Sequence, residues 1–303
     1  MKLSIVMVVK NEAKYIEKTI RSIPLHRLYE LIVVDDGSED ETFSIVQNYC
    51  AKNISIFKNP GVGKVSATNF GFSKVKGDFV KFVDGDDLIV THAFERFLDL
   101  VADVRPDVIL HDALLLDGND RVIGKYHIPS HIINSDSKTF FKQMYSVPKW
   151  AWTFSTAFFN NIVYPMPVSI PYEDQWFSLK VKESGCEILL DRLACYGYRQ
   201  HSGQTFGGIE NFNKSSTVWR ARRQILFIEA FIEASGLNEI EIFDDAIVYN
   251  KFLSERTFLS YLKLLASYNW QFILKGTIIF SPRFYRILQR LSWSMQTRIT
   301  IPR

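Results

Sequence analysis

The sequence predicts an α/β fold: a mostly parallel mixed sheet flanked by helices, followed by a helical appendage at the C-terminal end. Three observations carry this. Short apolar runs alternate with segments of helical spacing through the first hundred residues, the pattern of βαβ crossovers in a parallel sheet. Three of those runs end in polar clusters. From about Lys214 the spacing is helical to near the end of the chain.

The first run, Leu3–Val9, is β-branched and closes on Lys10-Asn11-Glu12, so it reads as a buried strand and not as a signal peptide. Ile16, Ile20 and Ile23 then fall on one helix face. Leu31–Val34 is the second strand, and Ser38-Glu39-Asp40-Glu41 predicts a capping box opening the next helix. Ile54–Phe57 is the third strand, Lys64–Lys76 the third helix, and Phe79–Val83 the fourth strand. Further on, Val108–Leu116 and Arg121–Ile128 form a strand pair around the turn Asp117-Gly118-Asn119-Asp120. A helix near Ser137–Tyr145, an aromatic strand near Trp152–Phe159 and a helix from about Glu173 follow. Glu187–Leu190 and Ala194–Tyr198 read as two more strands. The glycines Gly203, Gly207 and Gly208 mark the boundary between a body of residues 1–210 and a helical region 211–303; the body divides into halves 1–105 and 106–210.

The 303 residues are 47% hydrophobic and 23% charged, an ordinary globular mixture with room for a sizeable core. Three scattered cysteines lack metal-ligand spacing and fit a reducing, cytoplasmic setting. The net charge of +3 hides an asymmetry: residues 256–303 hold eight basic groups and no acidic one, leaving 28 basic against all 33 acidic groups in residues 1–255.

In a parallel sheet, ligands bind beyond the C-terminal strand ends. There this chain places Lys10-Asn11-Glu12, Asp35-Asp36-Gly37-Ser38 and Asp84-Gly85-Asp86-Asp87. Clustered carboxylates repel one another unless a cation or hydrogen-bond donors compensate, and hard oxygen ligands suit Mg²⁺ or Mn²⁺. An EF-hand is excluded, because its sixth position, counted from Asp84, is Ile89 and not Gly. A turn with Asp86 or Asp87 capping the helix from Thr91 explains the same residues. Asn59-Pro60-Gly61-Val62-Gly63-Lys64 offers backbone N–H groups and a cation to a diphosphate, although P-loop spacing is absent. Glu173-Asp174 reads either as acids favoured at a helix start or as a general base. Tyr198-Arg199-Gln200-His201 ends a strand with a cation and an imidazole.

The order of these pieces resembles glycosyltransferase family 2, the inverting enzymes of GT-A fold, over roughly residues 1–205. The resemblance rests on Val9-Lys10-Asn11-Glu12, Val33-Val34-Asp35-Asp36-Gly37-Ser38 and Ala67-Thr68-Asn69-Phe70-Gly71. It continues through Gly77-Asp78-Phe79-Val80-Lys81-Phe82-Val83-Asp84-Gly85-Asp86-Asp87, Glu173-Asp174 and Tyr198-Arg199-Gln200-His201. Two positions depart: Lys10 stands where the family often has Tyr, and Thr68 where it often has Arg, a cation for which Lys64 substitutes one turn earlier.

The resemblance implies a GT-A nucleotide-diphospho-sugar transferase with a nucleoside pocket lined by Val8, Asn11, Glu12 and Asp36. Lys64 and Asn69 join the donor site. Asp84 meets the ribose or the water around a metal, and Asp86 ligates Mn²⁺ or Mg²⁺, with His201 as a further ligand. Asp174 is the base and Glu173 orients it. The implied activity is hexosyl transfer from a nucleoside-diphosphate sugar, UDP-linked, to a glycan or lipid-linked acceptor in surface polysaccharide biosynthesis. A sugar-1-phosphate nucleotidyltransferase is the rival, but it wants a Gly-rich basic loop where Lys10-Asn11-Glu12 stands. A non-catalytic sugar-nucleotide-binding protein is the other.

The tail from Lys263 to Arg303 mixes aromatics with arginines. Its polar residues disfavour a membrane span. It reads either as a helical subdomain or as a peripheral contact with anionic lipid, and no nucleic-acid motif accompanies its charge.

Overall fold

The computed structural model describes residues 1–201, 214–236, 240–255 and 257–266. Its centre is a nine-stranded sheet. The strands are β1 (Leu3–Val9), β2 (Glu30–Asp35), β3 (Ile54–Lys58), β4 (Phe79–Asp84), β5 (Leu88–Ile89), β6 (Val108–Leu116), β7 (Val122–Tyr126), β8 (Trp152–Ser155) and β9 (Ile188–Arg199). Their order is β3-β2-β1-β4-β8-β6-β9-β5, with β7 paired to β6. The first four neighbours are all parallel. β8 then runs antiparallel between β4 and β6, and β9 returns parallel to β6.

All seven residues of β1 are buried, as expected of a strand covered on both faces. The covering helices are α1 (Ile16–Ser22), α2 (Thr42–Gln47), α3 (Lys64–Phe72) and α4 (Thr91–Val104). In α4, Phe94, Phe97, Leu98 and Val101 make one fully buried face at helical spacing. The short helices α5 (Ser130–Asn134), α6 (Ser137–Lys142) and α7 (Thr156–Phe158) lead to α8 (Glu173–Ser184). Aromatic side chains fill the space between sheet and helices: Phe82, Phe154 and Phe177 all lie against Phe159. Each such ring stabilises the fold by about 1.5–3 kcal/mol through burial.

α9 (Lys214–Ser235), α10 (Asp244–Glu255) and α11 (Phe258–Leu265) form the expected helical region. It packs on the body: Phe231 of α9 meets Trp176 of α8 at a ring-centroid distance of 5.5 Å, and Arg223 donates to the Pro171 carbonyl at 2.8 Å. The glycine-marked boundary at 203–208 and the tail from residue 267 lie outside the described residues. No helix of the described residues is long and apolar enough to cross a membrane.

Five expectations need correction. The aromatic strand expected to run to Phe159 stops at Ser155, and α7 begins at the next residue. α2 starts at Thr42, so Ser38 caps nothing; its hydroxyl binds the Asp35 carboxylate instead. α3 ends at Phe72, short of Lys76. Neither Asp86 nor Asp87 caps α4, because β5 intervenes and Val90 is the cap residue. The two strands read at 187–198 are one, β9, whose pairing with β6 slips between His111 and Ala113.

Candidate active site

Parallel register carries the three polar strand ends to one edge: Val9 lies beside Asp35, and Val8 beside Asp84. The two adjacent aspartates after Val34 have separate tasks. Asp35, 4% exposed, accepts the Ser38 amide and hydroxyl. Ser38 Oγ in turn accepts the Asn11 N–H at 3.0 Å, and Asn11 Oδ1 accepts from Glu39 N at 2.8 Å. These bonds hold Asn11 at φ 57°, a left-handed conformation that Asn tolerates better than most residues. Asp36 faces the other way, accepting Asn59 Nδ2 at 2.7 Å and Gly63 N at 2.9 Å through Oδ1. That ties the Asn59–Lys64 loop to the end of β2.

After β4 the chain places three carboxylates in four residues. Asp84 receives Lys64 Nζ at 3.0 Å and Lys149 Nζ at 3.6 Å. Burial opposes its ionisation, but the two ammonium groups prevail and pull it down to about 2. Gly85 is needed for space: a Cβ there would come within 2.7 Å of Val9 Cγ1. Asp86 Oδ2 lies 3.0 Å from His201 Nε2, and His201 packs on the Tyr15 ring. Asp87, 1% exposed, accepts the Tyr196 hydroxyl at 2.9 Å and the Arg199 amide at 2.8 Å. Burial, with Asp86 and Asp84 adding repulsion, pushes its carboxyl well above the usual aspartate range. Glu12 feels the same field: burial first, then Asp86 and Asp84, raise it to about 8.

Across from these residues, α8 begins with Glu173 and Asp174. Glu173 Oε2 pairs with Lys149 Nζ at 3.0 Å in a buried contact. Its Oε1 is buried with no hydrogen-bond partner among the described residues. Asp174 Oδ1 accepts the Lys149 backbone N–H at 2.9 Å. The residue keeps an exposed edge, but the protein packed around its carboxyl displaces enough water to raise it to about 6. Lys64 and Lys149 pull it down, while Asp84 and Glu173 push it up. A helix start favours the ionised acid by a fraction of a kcal/mol to about 1 kcal/mol, and desolvation outweighs that here.

The protein-family model for glycosyl transferase family 2 matches residues 4–160, just over half of the chain. The chain belongs to glycosyltransferase family 2. Among curated relatives, an uncharacterized glycosyltransferase of Nostoc is 29% identical over 128 residues, which is 41% of this chain and 40% of that protein. The poly(ribitol-phosphate) β-N-acetylglucosaminyltransferase TarS of Staphylococcus aureus is 30% identical over 117 residues, 36% of this chain and 20% of TarS. The chain thus spans well under half the length of these relatives. Among solved structures, residues 1–349 of S. aureus TarS in complex with UDP-GlcNAc superpose with TM-score 0.55 at 18% identity, covering 98% of this chain and 93% of that one. A mannosyltransferase from Pyrobaculum calidifontis, solved with GDP-Man and Mn²⁺, gives TM-score 0.58 at 14% identity over 97% of this chain and 83% of that one. At these identities the superpositions establish the GT-A fold.

The Mn²⁺ of the mannosyltransferase complex raises the question of which residues here could hold such an ion. Among the described residues, no group of three or more His, Cys, Asp or Glu side chains is gathered to hold one. Asp86 and His201 do face each other, whereas Asp84 is turned to Lys64 and Lys149 and is not joined to them. A carboxylate and an imidazole, with open positions for diphosphate oxygens, fit Mn²⁺ or Mg²⁺. Burial is the first reason Glu12 rises to about 8, but Asp86 and Asp84 add repulsion that a cation would relieve. The pair therefore fits, with Asp84 outside it.

Of the other sequence candidates, Val8 is buried at the rim, and Asn11, Glu12, Asp36 and Lys64 line the same edge as Asp84. Asn69 does something else. Its amide is matched to the Met166 main chain in both directions, at 2.7 Å and 3.0 Å, and clamps the segment before α8. Sequence reasoning missed Lys149 and Tyr196. A lysine set among Trp150, Ala151 and Trp152 was the available signal for the first.

Proposed function

We propose that this member of family 2 is an inverting glycosyltransferase, moving a hexosyl group from a UDP-sugar to a hydroxyl of a glycan or lipid-linked acceptor in surface polysaccharide biosynthesis. One observation carries this. Asp174 Oδ1 accepts the amide of Lys149 at 2.9 Å, the ammonium of the same lysine reaches Asp84 of the donor edge at 3.6 Å, and the Asp174 carboxyl is raised to about 6. A base of that strength, ionised at neutral pH, is matched to drawing a proton from an attacking hydroxyl. The structural neighbours solved with UDP-GlcNAc and with GDP-Man support a nucleotide sugar as the donor.

In this reading Val8, Asn11, Glu12 and Asp36 line the nucleoside pocket, with Asp36 meeting the base through its second oxygen. Lys64 presents its ammonium to the diphosphate. Asp86 and His201 would hold the Mn²⁺ or Mg²⁺, which supplies charge neutralisation on the departing diphosphate. Asp174 takes the acceptor proton as the acceptor oxygen forms its bond to C1; the bond from C1 to the diphosphate oxygen breaks on the opposite face. A single displacement inverts the anomeric centre. Glu173 orients Asp174 from the preceding position.

Residues 1–210 form the catalytic domain in this proposal, and residues 211–303 a helical region against its acceptor-side half. That region also bears on the acceptor. On α11, Phe258, Leu259, Leu262 and Leu265 are all exposed, and the chain that follows carries six basic and no acidic residues beyond Leu265. An apolar helix face beside a basic segment suits an anionic lipid surface, where a lipid-linked acceptor resides.

The test is a nucleotide-sugar panel with Mn²⁺, scored by thermal stabilisation and by sugar release. The correct donor should raise the unfolding temperature with dose. Asp174→Asn should keep that stabilisation and lose at least ~10²-fold in turnover. Wild-type turnover in that variant removes the base assignment, and a panel without any stabilising nucleotide sugar removes the function.

A further inference from the structure

Lys149 is named by no sequence motif, yet it touches three carboxylates of the site. It opens the single-turn segment Lys149–Ala151 after Pro148, and it is 2% exposed. Its ammonium meets Glu173 at 3.0 Å and Asp84 at 3.6 Å; its amide donates to Asp174 at 2.9 Å. The segment is fixed from two sides. Lys81 of β4 donates to the Trp150 carbonyl at 2.8 Å, and Val147 N donates to Ser178 Oγ of α8 at 2.9 Å.

Burying an ammonium costs several kcal/mol unless it is well paired. A buried pair with Glu173 alone would suffice to secure the start of α8. The second contact, to Asp84 on the far side of the site, adds nothing to that task. It instead spans from the acceptor-side helix to the donor-side strand.

We infer that Lys149 is a positioning residue that fixes Asp174 at its working distance from the donor edge by bridging Asp84 and Glu173 while its amide holds the Asp174 carboxylate; this rests on the reading of Asp174 as the base. Misplacement of a reacting group by about 1 Å is enough to cost ~10²-fold in rate. The charged groups facing Asp174 are Lys64, Asp84, Lys149 and Glu173. Losing the Lys149 charge therefore removes one of the two influences that hold its carboxyl down.

Two variants test this. Lys149→Met leaves Glu173 buried without its cation, so Lys149→Met/Glu173→Gln, which removes both charges, guards against simple unfolding. The double variant should unfold within about 4 °C of wild type. It should bind UDP within about threefold of wild type while kcat falls at least ~30-fold below that of Glu173→Gln alone. In Lys149→Met the acid limb of the rate profile should also move above its wild-type position. A folded double variant with kcat within about threefold of Glu173→Gln alone overturns the proposal, and so does loss of folding in both variants, which would make Lys149 architectural. Asp174→Asn run alongside separates the two ideas. A wild-type rate there removes the base itself, whereas a wild-type rate confined to the Lys149 variants removes only its positioning.

Discussion

Lowering the pH from 7.5 to 5 should cut sugar transfer about tenfold, and Asp174 is the reason. An ordinary aspartate, at 3.8, stays more than nine-tenths ionised at pH 5, whereas a carboxyl raised to about 6 retains only about a tenth of its anion there. The base must be ionised to accept a proton, so a raised value moves the acid limb upward: activity appears as pH rises through about 6 and is lost below it. At pH 7.5 the group is nearly fully ionised and the rate sits on its plateau. The assay is kcat and kcat/KM between pH 4.5 and 8.5, with UDP affinity measured at each pH so that donor binding is separated from proton transfer. Asp174→Asn should show a residual rate without this limb. A limb near pH 4, or the same limb persisting in Asp174→Asn, would refute the reasoning.

Other consequences follow from particular contacts. Asp36→Ala removes the acceptor that holds Asn59 and Gly63; it should weaken UDP binding about tenfold, as expected for lost charge-assisted hydrogen bonds, measured by titration calorimetry. Gly71→Ala would drive a Cβ to 2.6 Å from Val6 Cγ1 and 3.1 Å from Val34 Cγ2. Valine is stiff at χ1 and cannot swing away, so the variant should lose about 1–3 kcal/mol in denaturant unfolding. Chelation with EDTA should abolish the thermal stabilisation given by UDP and Mn²⁺ should restore it, with His201→Ala needing more Mn²⁺ for the same shift.

Much of this architecture was legible in the sequence because the first four strands are short, mostly apolar runs, three of which close on clusters that contain acids. Parallel pairing then brings those acids together without further instruction. The failures share a cause, which is competition from contacts distant along the chain. Ser38 looks like a cap, but Asp35 is a nearer and stronger acceptor for its hydroxyl, and the helix waits until Thr42. Asp87 looks like a cap as well, but Tyr196 and Arg199 of β9 claim its carboxylate. The break expected between Leu190 and Ala194 is an irregularity within one strand, with Arg192 reaching out to the Ile128 carbonyl and Asp112. Asn69 sits in a motif that the family resemblance carried to the donor site, and only the fold reveals the Met166 backbone waiting for it. Lys149 was missed because its apolar neighbours Trp150, Ala151 and Trp152 hint only at burial, while its partners lie on β4 and α8, far along the chain.

The stereochemistry of the product tests the account most directly. With an α-linked UDP-sugar and an accepted acceptor, proton NMR of the first-formed glycoside should show the β-anomer alone. An α-linked product would mean retention, and a single in-line displacement assisted by Asp174 could not stand.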